Sequence, residues 1–369
     1  MSKKRILLLS AYDARSHRYW HQSMVAQFPQ YDWHVLTLKD RFFAWRMGGN
    51  ALSFKAQFDA YLCRGDYDRV IATSMTDLST LRGLYPKLTE IPNTLYFHEN
   101  QFAYPENNKQ QGLLEIQIRN IYAAIAADHL TFNTNYNRTT FLQGVEAFCK
   151  KMPDGLPKNL VEQLAQKSSL LAVPIADDCC STRPSKIKET GRLQVVWNHR
   201  WEHDKGPETL LELLRLCQTT TTNMAEITFH ILGQKFRQIP QAMEMITQHH
   251  ASQCQTLGFI ESRAAYIQVL QSADVVLSTA HHDFQGIAML EAVACGCLPI
   301  APNRLVYPEL YPKSNLYPST PNQAQQEAKA IFSLLLNHLQ LQPPELNLHW
   351  GQMKTEYDHW LLEPFQPHD

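Results

Sequence analysis

No stretch of the 369-residue chain approaches the roughly 20 consecutive apolar residues that a membrane-spanning helix needs. The phosphate-cradling motifs GxGxxG and GxxxxGK[ST] are both missing, so Rossmann dinucleotide binding and P-loop NTPase chemistry have no support. GxSxG is absent as well, which removes the nucleophile elbow of a serine hydrolase. Eight cysteines are present, but neither Cys179-Cys180 nor Cys295/Cys297 has a second pair at zinc-ligand spacing. His281 and His282 precede Asp283 with no matching pair elsewhere. Reduced thiols and no metal site are therefore expected. Internal repeats and low-complexity tracts are also lacking.

The residues that are present describe a folded chain, 44% apolar and 19% charged. Its length exceeds what one core usually supports, and two domains are expected. MSKKRILLLSAY superficially resembles a secretion signal, yet its apolar part is only about six residues long and Asp13 and Arg15 follow at once. A first buried strand accounts for it better, and a cytoplasmic location is expected. The net charge of −1 hides an asymmetry. Residues 1–170 carry 20 Lys+Arg against 15 Asp+Glu, and residues 171–369 carry 14 against 20. Within residues 1–55 the count is 9 against 3, so the first half can face a polyanion.

ILLLSAY, WHVLTL, RVIAT, TLYFHE, HLTFNT and LLAVPI read as buried strands separated by helical patterns such as SFKAQFDAYLCR and GLLEIQIRNIYAAIAAD. The series restarts with LQVVWNHR, ITFHILG, QTLGF, DVVLSTA and CLPIAP. Two successive β/α series predict an α/β protein of two doubly wound, Rossmann-like domains facing across a cleft. The expected boundaries are 1–183, 184–340 and a helical tail over 341–369, with the join in the Pro/Ser/Lys/Thr cluster near 181–191. Trp350, Tyr357 and Trp360 can pack the tail back onto a domain.

The most informative stretch is HHDFQGIAMLEAVACGCLPIAPNRLVYPEL. Asp283 and Glu291 stand eight residues apart around the Gly286-Ile287 step that opens a helix, which Gly296 can end in a left-handed cap. Eight helical residues rise roughly 12 Å, about the span from the sugar to the ribose of a nucleotide-sugar. Free N–H groups of the helix start would face the diphosphate between them. A capping Asp and a solvated Glu on an ordinary amphipathic helix give the plainer reading. The second constellation is VVWNHRWEHDKGPETLLELL. It places Arg200 and Lys205 after a strand and before a helix that begins at Pro207, where two cations can neutralise a diphosphate. Alternatively those cations pair with Glu202 and Asp204. In the first domain TLYFHENQFAYP puts His98 and Glu99 just after a strand. AYDARSHRYWHQ and DRFFAWRMGGN interleave cations with aromatics, which suits a nucleic-acid backbone and an exposed base. Taken one at a time, both segments read more simply as buried aromatics flanked by solvated charges.

This order of motifs resembles glycosyltransferase family 4, of GT-B fold, over nearly the whole chain. FHENQ, WNHRWEHDKGPE, FQGIAMLEAV and PNRLVYPE are similar in particular to the tRNA-queuosine mannosyltransferases within it. The resemblance implies a retaining transfer of mannose from GDP-mannose to the queuosine at the wobble position of tRNA(Asp), without an essential metal. Arg200 and Lys205 would contact the donor diphosphate, and Asp283 the sugar hydroxyls with the amides around Gly286 and Ile287. Glu291 would accept from the ribose hydroxyls, His98 would meet the donor sugar, and the Gly233 and Gly258–Phe259 loops would lie near ribose and base. The tRNA anticodon arm would dock on the basic first domain, with no stable membrane insertion. Two departures from the family pattern stand out. Asp283 replaces the usual Glu, and AYDARSHRYW replaces a Gly-Gly step, where Ser16 or Arg18 would substitute as phosphate contacts. The sugar epimer and the base of the donor stay open. A lipid or polysaccharide acceptor, and a non-catalytic nucleotide-sugar-binding protein, are the rival readings.

Overall fold

The computed structural model describes residues 3–61, 66–103, 113–153, 157–180, 192–219, 226–236 and 238–362. The proposed join at 181–191 lies outside the described residues. The chain forms two compact units, one of Met1–Pro174 with Gln352–Asp369, the other of Ile175–Gly351.

The first unit runs β1 (Arg5–Ser10), α1 (Arg15–Gln27), β2 (Asp32–Thr37), α2 (Phe43–Tyr61), β3 (Arg69–Thr73), α3 (Leu78–Leu84), β4 (Asn93–Phe97), α4 (Leu113–Ala126), β5 (His129–Phe132), α5 (Asn135–Lys151), α6 (Leu160–Gln166) and β6 (Ser168–Leu170). The six strands pair in parallel in the order β2-β1-β3-β4-β5-β6. Every residue of β3, β4 and β5 is buried, as strands covered on both faces require.

The second unit repeats the plan with β7 (Arg192–Asn198), α7 (Pro207–Thr219), β8 (Glu226–Leu232), α8 (Gln241–His249), β9 (Cys254–Gly258), α9 (Arg263–Ser272), β10 (Val275–Leu277), α10 (Ile287–Ala294), β11 (Leu298–Pro302), α11 (Tyr307–Leu310), β12 (Leu316–Tyr317) and α12 (Ala324–Leu336). Its parallel order is β12-β11-β10-β7-β8-β9. Strand order reverses between β7 and β10, so the loops leaving those two strands lie side by side at the switch point where open α/β sheets bind ligands. The Asn198–Lys205 and Ser278–Gly286 segments are those loops. The two-residue β12 has too short a run to leave a sequence signal.

The last helix, α13 (Trp350–Leu362), packs back on the first unit. Trp20 Nε1 donates to the Tyr357 hydroxyl at 3.0 Å, and that hydroxyl donates to the Ala172 carbonyl at 2.9 Å. Trp360 Nε1 donates to Thr131 Oγ1 at 2.8 Å. Trp20 and Thr131 are fully buried, and these bonds give their polar atoms partners.

Candidate active site

The second unit builds its site around α10. Gly286 enters the helix at φ +68°, a conformation that costs an L side chain energy and a glycine almost nothing. At the other end Gly296 has φ +109°, its N–H donates to Val293 and that of Cys297 to Ala292. That is the Schellman pairing expected of a glycine-terminated helix. Met289, Leu290, Ala292 and Val293 are buried and fix the helix against the sheet. No side chain caps its first turn. The amide hydrogens of residues 287–289 thus have no intrahelical acceptor and carry the positive end of the dipole.

Asp283 stands at that end. Its Oδ1 accepts from the Gly286 N–H at 3.0 Å and its Oδ2 from the Tyr307 hydroxyl at 3.1 Å, with Lys205 Nζ 3.9 Å away. Burial raises the Asp283 pKa, but Lys205, His199, His282 and the Tyr307 hydrogen bond together outweigh it, and the net shift is downward. The group is a carboxylate at neutral pH. Lys205 is 8% exposed and donates to the His282 carbonyl at 2.6 Å, with Asp204 Oδ2 at 3.2 Å. Gly206 makes that burial feasible. At φ +63° it passes so close to the next loop that a Cβ would sit 2.1 Å from the Thr279 carbonyl oxygen. Thr279 Oγ1 returns a bond to the Lys205 carbonyl at 2.7 Å.

Arg200, six residues before Gly206, is turned outward. It pairs with Glu202 at 3.1 Å, its side chain is 56% exposed, and it lies over the Phe236 ring. The pairings with Glu202 and Asp204 that the plain reading anticipated are therefore present. They leave Arg200 solvated and Lys205 aimed at Asp283. His199, just before Arg200, is 6% exposed, with Nε2 buried and lacking a hydrogen-bond partner among the described residues. Burial first, then Lys205, pushes its pKa down to about 4, so a neutral imidazole faces the loop.

Glu291 lies one turn further along, as the fifth of the eight residues of α10. Its Oε1 meets Arg263 Nη1 at 2.6 Å and its Oε2 accepts from the Tyr266 hydroxyl at 2.7 Å, with the side chain 13% exposed. Arg263 also grips Asp178 through Nε at 2.9 Å and Nη2 at 2.8 Å. Asn198 Nδ2 donates to the Tyr266 oxygen at 2.6 Å. The plainer sequence reading had Glu291 solvated; instead α9 supplies it with a cation and a hydroxyl. Each carboxylate oxygen has two lone pairs, and one on each remains for a further donor.

The other sequence-selected residues fall around these. Gly233 ends β8 at φ +138°, and a Cβ there would lie 1.8 Å from the His199 carbonyl oxygen, so its bareness serves close packing. Its N–H bonds the Gly258 carbonyl at 3.2 Å, which ties the two loops together. Phe259 next to Gly258 is 46% exposed. Ile287 begins α10, partly buried.

In the first unit His98 follows β4. It is 7% exposed, stacked on His17 with centroids 4.1 Å apart, and edge-on to Trp20. Burial drives its pKa well below the usual histidine value, with His17 and His21 adding to the effect. Asn133 Nδ2 holds its carbonyl at 2.9 Å, and Nε2 has no acceptor or donor among the described residues. Arg18, expected as a phosphate contact, instead clamps Asp13 at 3.0 Å, which His21 also binds at 2.9 Å. The reason is local: both lie on the first turns of α1, four or more residues past Asp13.

The chain that carries these residues has clear relatives. A family model described as tRNA-queuosine alpha-mannosyltransferase N-terminal matches residues 5–175, and one described as glycosyl transferases group 1 matches residues 181–353. A tRNA-queuosine alpha-mannosyltransferase of Drosophila melanogaster is 34% identical over 325 residues, 86% of this chain and 84% of that protein. The chain belongs to the tRNA-queuosine alpha-mannosyltransferase family. It is a hexosyltransferase. Among solved structures, sucrose-phosphate synthase from Thermosynechococcus elongatus superposes with a TM-score of 0.65 at 13% identity, covering 97% of this chain and 99% of that one. Anabaena HepE, solved with UDP and glucose, gives 0.61 at 16% identity, covering 92% and 91%. Likeness at such low identity concerns the fold, and the fold is GT-B. No group of three or more potential metal ligands occurs among the described residues of the enzyme, and no described helix is long and apolar enough to cross a membrane.

Proposed function

We propose that the enzyme transfers mannose from GDP-mannose, with retention, to the queuosine at the wobble position of tRNA(Asp) in the cytoplasm, needing no metal ion. The observation that carries this reading is the pair of held carboxylates, Asp283 and Glu291, at opposite ends of an uncapped helix start with Lys205 beside it. In this reading the amides of residues 287–289 and Lys205 bind the donor diphosphate, and Arg200 swings from Glu202 to join them. Asp283 accepts from the sugar hydroxyls and Glu291 from the ribose, while Phe259 and the Gly233 and Gly258 turns border the base. His98 is assigned to the donor sugar, where a neutral imidazole can donate or accept without repelling a cationic transition state.

The chemical demand is charge on the departing diphosphate. The bond from the anomeric carbon to the phosphate oxygen breaks, and the acceptor hydroxyl attacks from the same face. Its proton passes to the leaving phosphate, so no separate base is needed. Fixed N–H dipoles and a preplaced ammonium stabilise that charge without reorganising during the step. The basic residues concentrated in the first 55 positions offer the counter-charge for an RNA acceptor.

Mass spectrometry of nucleosides from queuosine-containing tRNA(Asp), incubated with the enzyme and GDP-mannose, tests the reading. One added hexose on queuosine, absent with UDP-glucose or GDP-fucose, is expected. Transfer to lipid or polysaccharide but not to tRNA would overturn it.

A further inference from the structure

The two cation-aromatic segments near the N-terminus separate in the structure. In AYDARSHRYWHQ, Trp20 is fully buried under α13 and Arg18 is spent on Asp13. DRFFAWRMGGN does the reverse. Phe42 is 70% exposed and Trp45 53% exposed, both far beyond what buried aromatics flanked by charges would show. We infer that Phe42 and Trp45, with Lys39, Arg41 and Arg46, form a stacking platform for unpaired bases of an RNA loop.

Three features of the segment are built rather than incidental. Phe42 immediately precedes α2 and holds φ +56°, a region that bulky L residues avoid at a cost of about 1 kcal/mol or more. Ser, Thr, Asp, Asn or Gly is usual at such a helix entry. Here the Phe42 carbonyl accepts from the Arg46 N–H at 2.9 Å while its ring is left in solvent with Arg41 5.5 Å from the centroid. Second, Trp45 rests on Gly49, one helical turn along. A Cβ at Gly49 would stand 2.9, 2.9 and 3.0 Å from three consecutive ring atoms, so the absence of a side chain lets the indole lie along the helix. A ring held this way offers an open face without losing further freedom on binding. Third, the Arg46 guanidinium is held: its Nε donates to the Lys39 carbonyl at 3.1 Å and its Nη1 to Ser53 Oγ at 3.4 Å.

Open aromatic faces interleaved with cations match the two halves of a single-stranded nucleic acid, its bases and its phosphates. Leu52, 63% exposed, lies seven residues beyond Trp45 on the same helix face and gives a lipid surface some purchase. However, three cations and Asp40 interrupt the apolar residues, and charge complementarity favours RNA. The platform rests on the RNA acceptor proposed above and deepens it by naming residues that hold the loop. It uses none of the residues assigned to the donor.

The test measures transfer from GDP-mannose to queuosine-containing tRNA by the full-length protein, with thermal midpoints checked for each variant. Trp45→Ala is expected to raise KM for tRNA about tenfold, with kcat and KM for GDP-mannose nearly unchanged. Phe42→Ala should act in the same direction, and Gly49→Ala, which only pushes the indole aside, by a smaller factor. Trp45→Phe should recover most of the loss. Arg41→Ala should reduce the slope of log affinity against log salt by about one. Unchanged KM for tRNA in Trp45→Ala and Phe42→Ala, in a wild type that does modify tRNA, would overturn the platform alone. Sedimentation with phosphatidylcholine–phosphatidylserine vesicles that depends on Trp45, alongside unchanged tRNA affinity, would assign the patch to a membrane and overturn it too. A wild type unable to modify tRNA would instead defeat the acceptor reading itself.

Discussion

The two ends of α10 hold their carboxylates by different means. Asp283 is fixed by its own loop, through the Gly286 N–H three residues on, and shares Lys205 with Asp204. Glu291 is fixed from elsewhere, by Arg263 and Tyr266 of α9, and shares Arg263 with Asp178. At each end one cation serves two carboxylates, so each cluster keeps a net negative charge. At each end a tyrosine, Tyr307 fully buried and Tyr266 partly so, has its pKa raised by desolvation and then by the neighbouring carboxylate, stays protonated and donates. The ends differ in what surrounds them. Only the Asp283 end adds the open amides of the helix start and the dipole, so an anion is favoured there despite the local negative charge. The Glu291 end has no such donors and suits neutral hydroxyls. The proposed placing of a diphosphate at one end and a ribose at the other rests on that contrast.

Removing Lys205 should break the comparison most severely. Lys205→Ala leaves Asp204 and Asp283 without their cation beside the diphosphate site, and kcat/KM should fall about 10²- to 10³-fold, the usual loss for one preorganised charge-stabilising donor. The same change should cost about 3 kcal/mol of stability, read by denaturant titration, because a mostly buried pair loses one member. Losses confined to KM for tRNA would contradict the assignment. Next comes Glu291→Gln. It keeps an acceptor for Tyr266 but discards the charge facing Arg263, and KM for the donor should rise about tenfold with a smaller change in kcat. If kcat collapsed while KM held, Glu291 would belong to the reacting end instead. Arg263→Met should have a milder effect of the same kind, since it acts on the ribose only through Glu291; Asp178→Asn should be milder still. Donor titration calorimetry would rank the three.

The pH response should be the smallest signal, and it has a definite sign. Burial pushes His199 and His129 down to about 4, below the unfolded value near 6.5. Between those values the unfolded chain binds more protons than the folded one, so stability is full above about pH 6.5 and is lost as pH falls towards 4. His199→Leu should flatten part of that slope in thermal melts. An unchanged slope would mean that His199 is not held neutral.

The same contrast explains what the sequence made legible. Both parallel sheets, the helix starting at Pro207 and the glycine ends of α10 were readable because periodicity, proline and glycine act within a few residues. Asp283 and Lys205, singled out in the sequence, come within 3.9 Å of each other because their loops leave adjacent strands at a strand-order reversal. The partners of Glu291 were not, because Arg263 and Tyr266 lie 28 and 25 residues away on a helix that looks ordinary by itself. His199 passed as the end of a strand, and only the packed loop reveals its isolated ring. Exposure was the other blind spot. Trp20 and Trp45 stand in similar cation-rich contexts, and only the tertiary packing of α13 decides which one is covered.

A crystal structure of the enzyme soaked with GDP-mannose tests the assignment of α10 most directly. The diphosphate should lie within hydrogen-bond reach of the amides of residues 287–289 with Lys205 Nζ turned towards it, and the ribose hydroxyls should donate to Glu291. Density for the nucleotide away from α10, or a Lys205 still bonded only to the His282 carbonyl with no phosphate near it, would contradict the account.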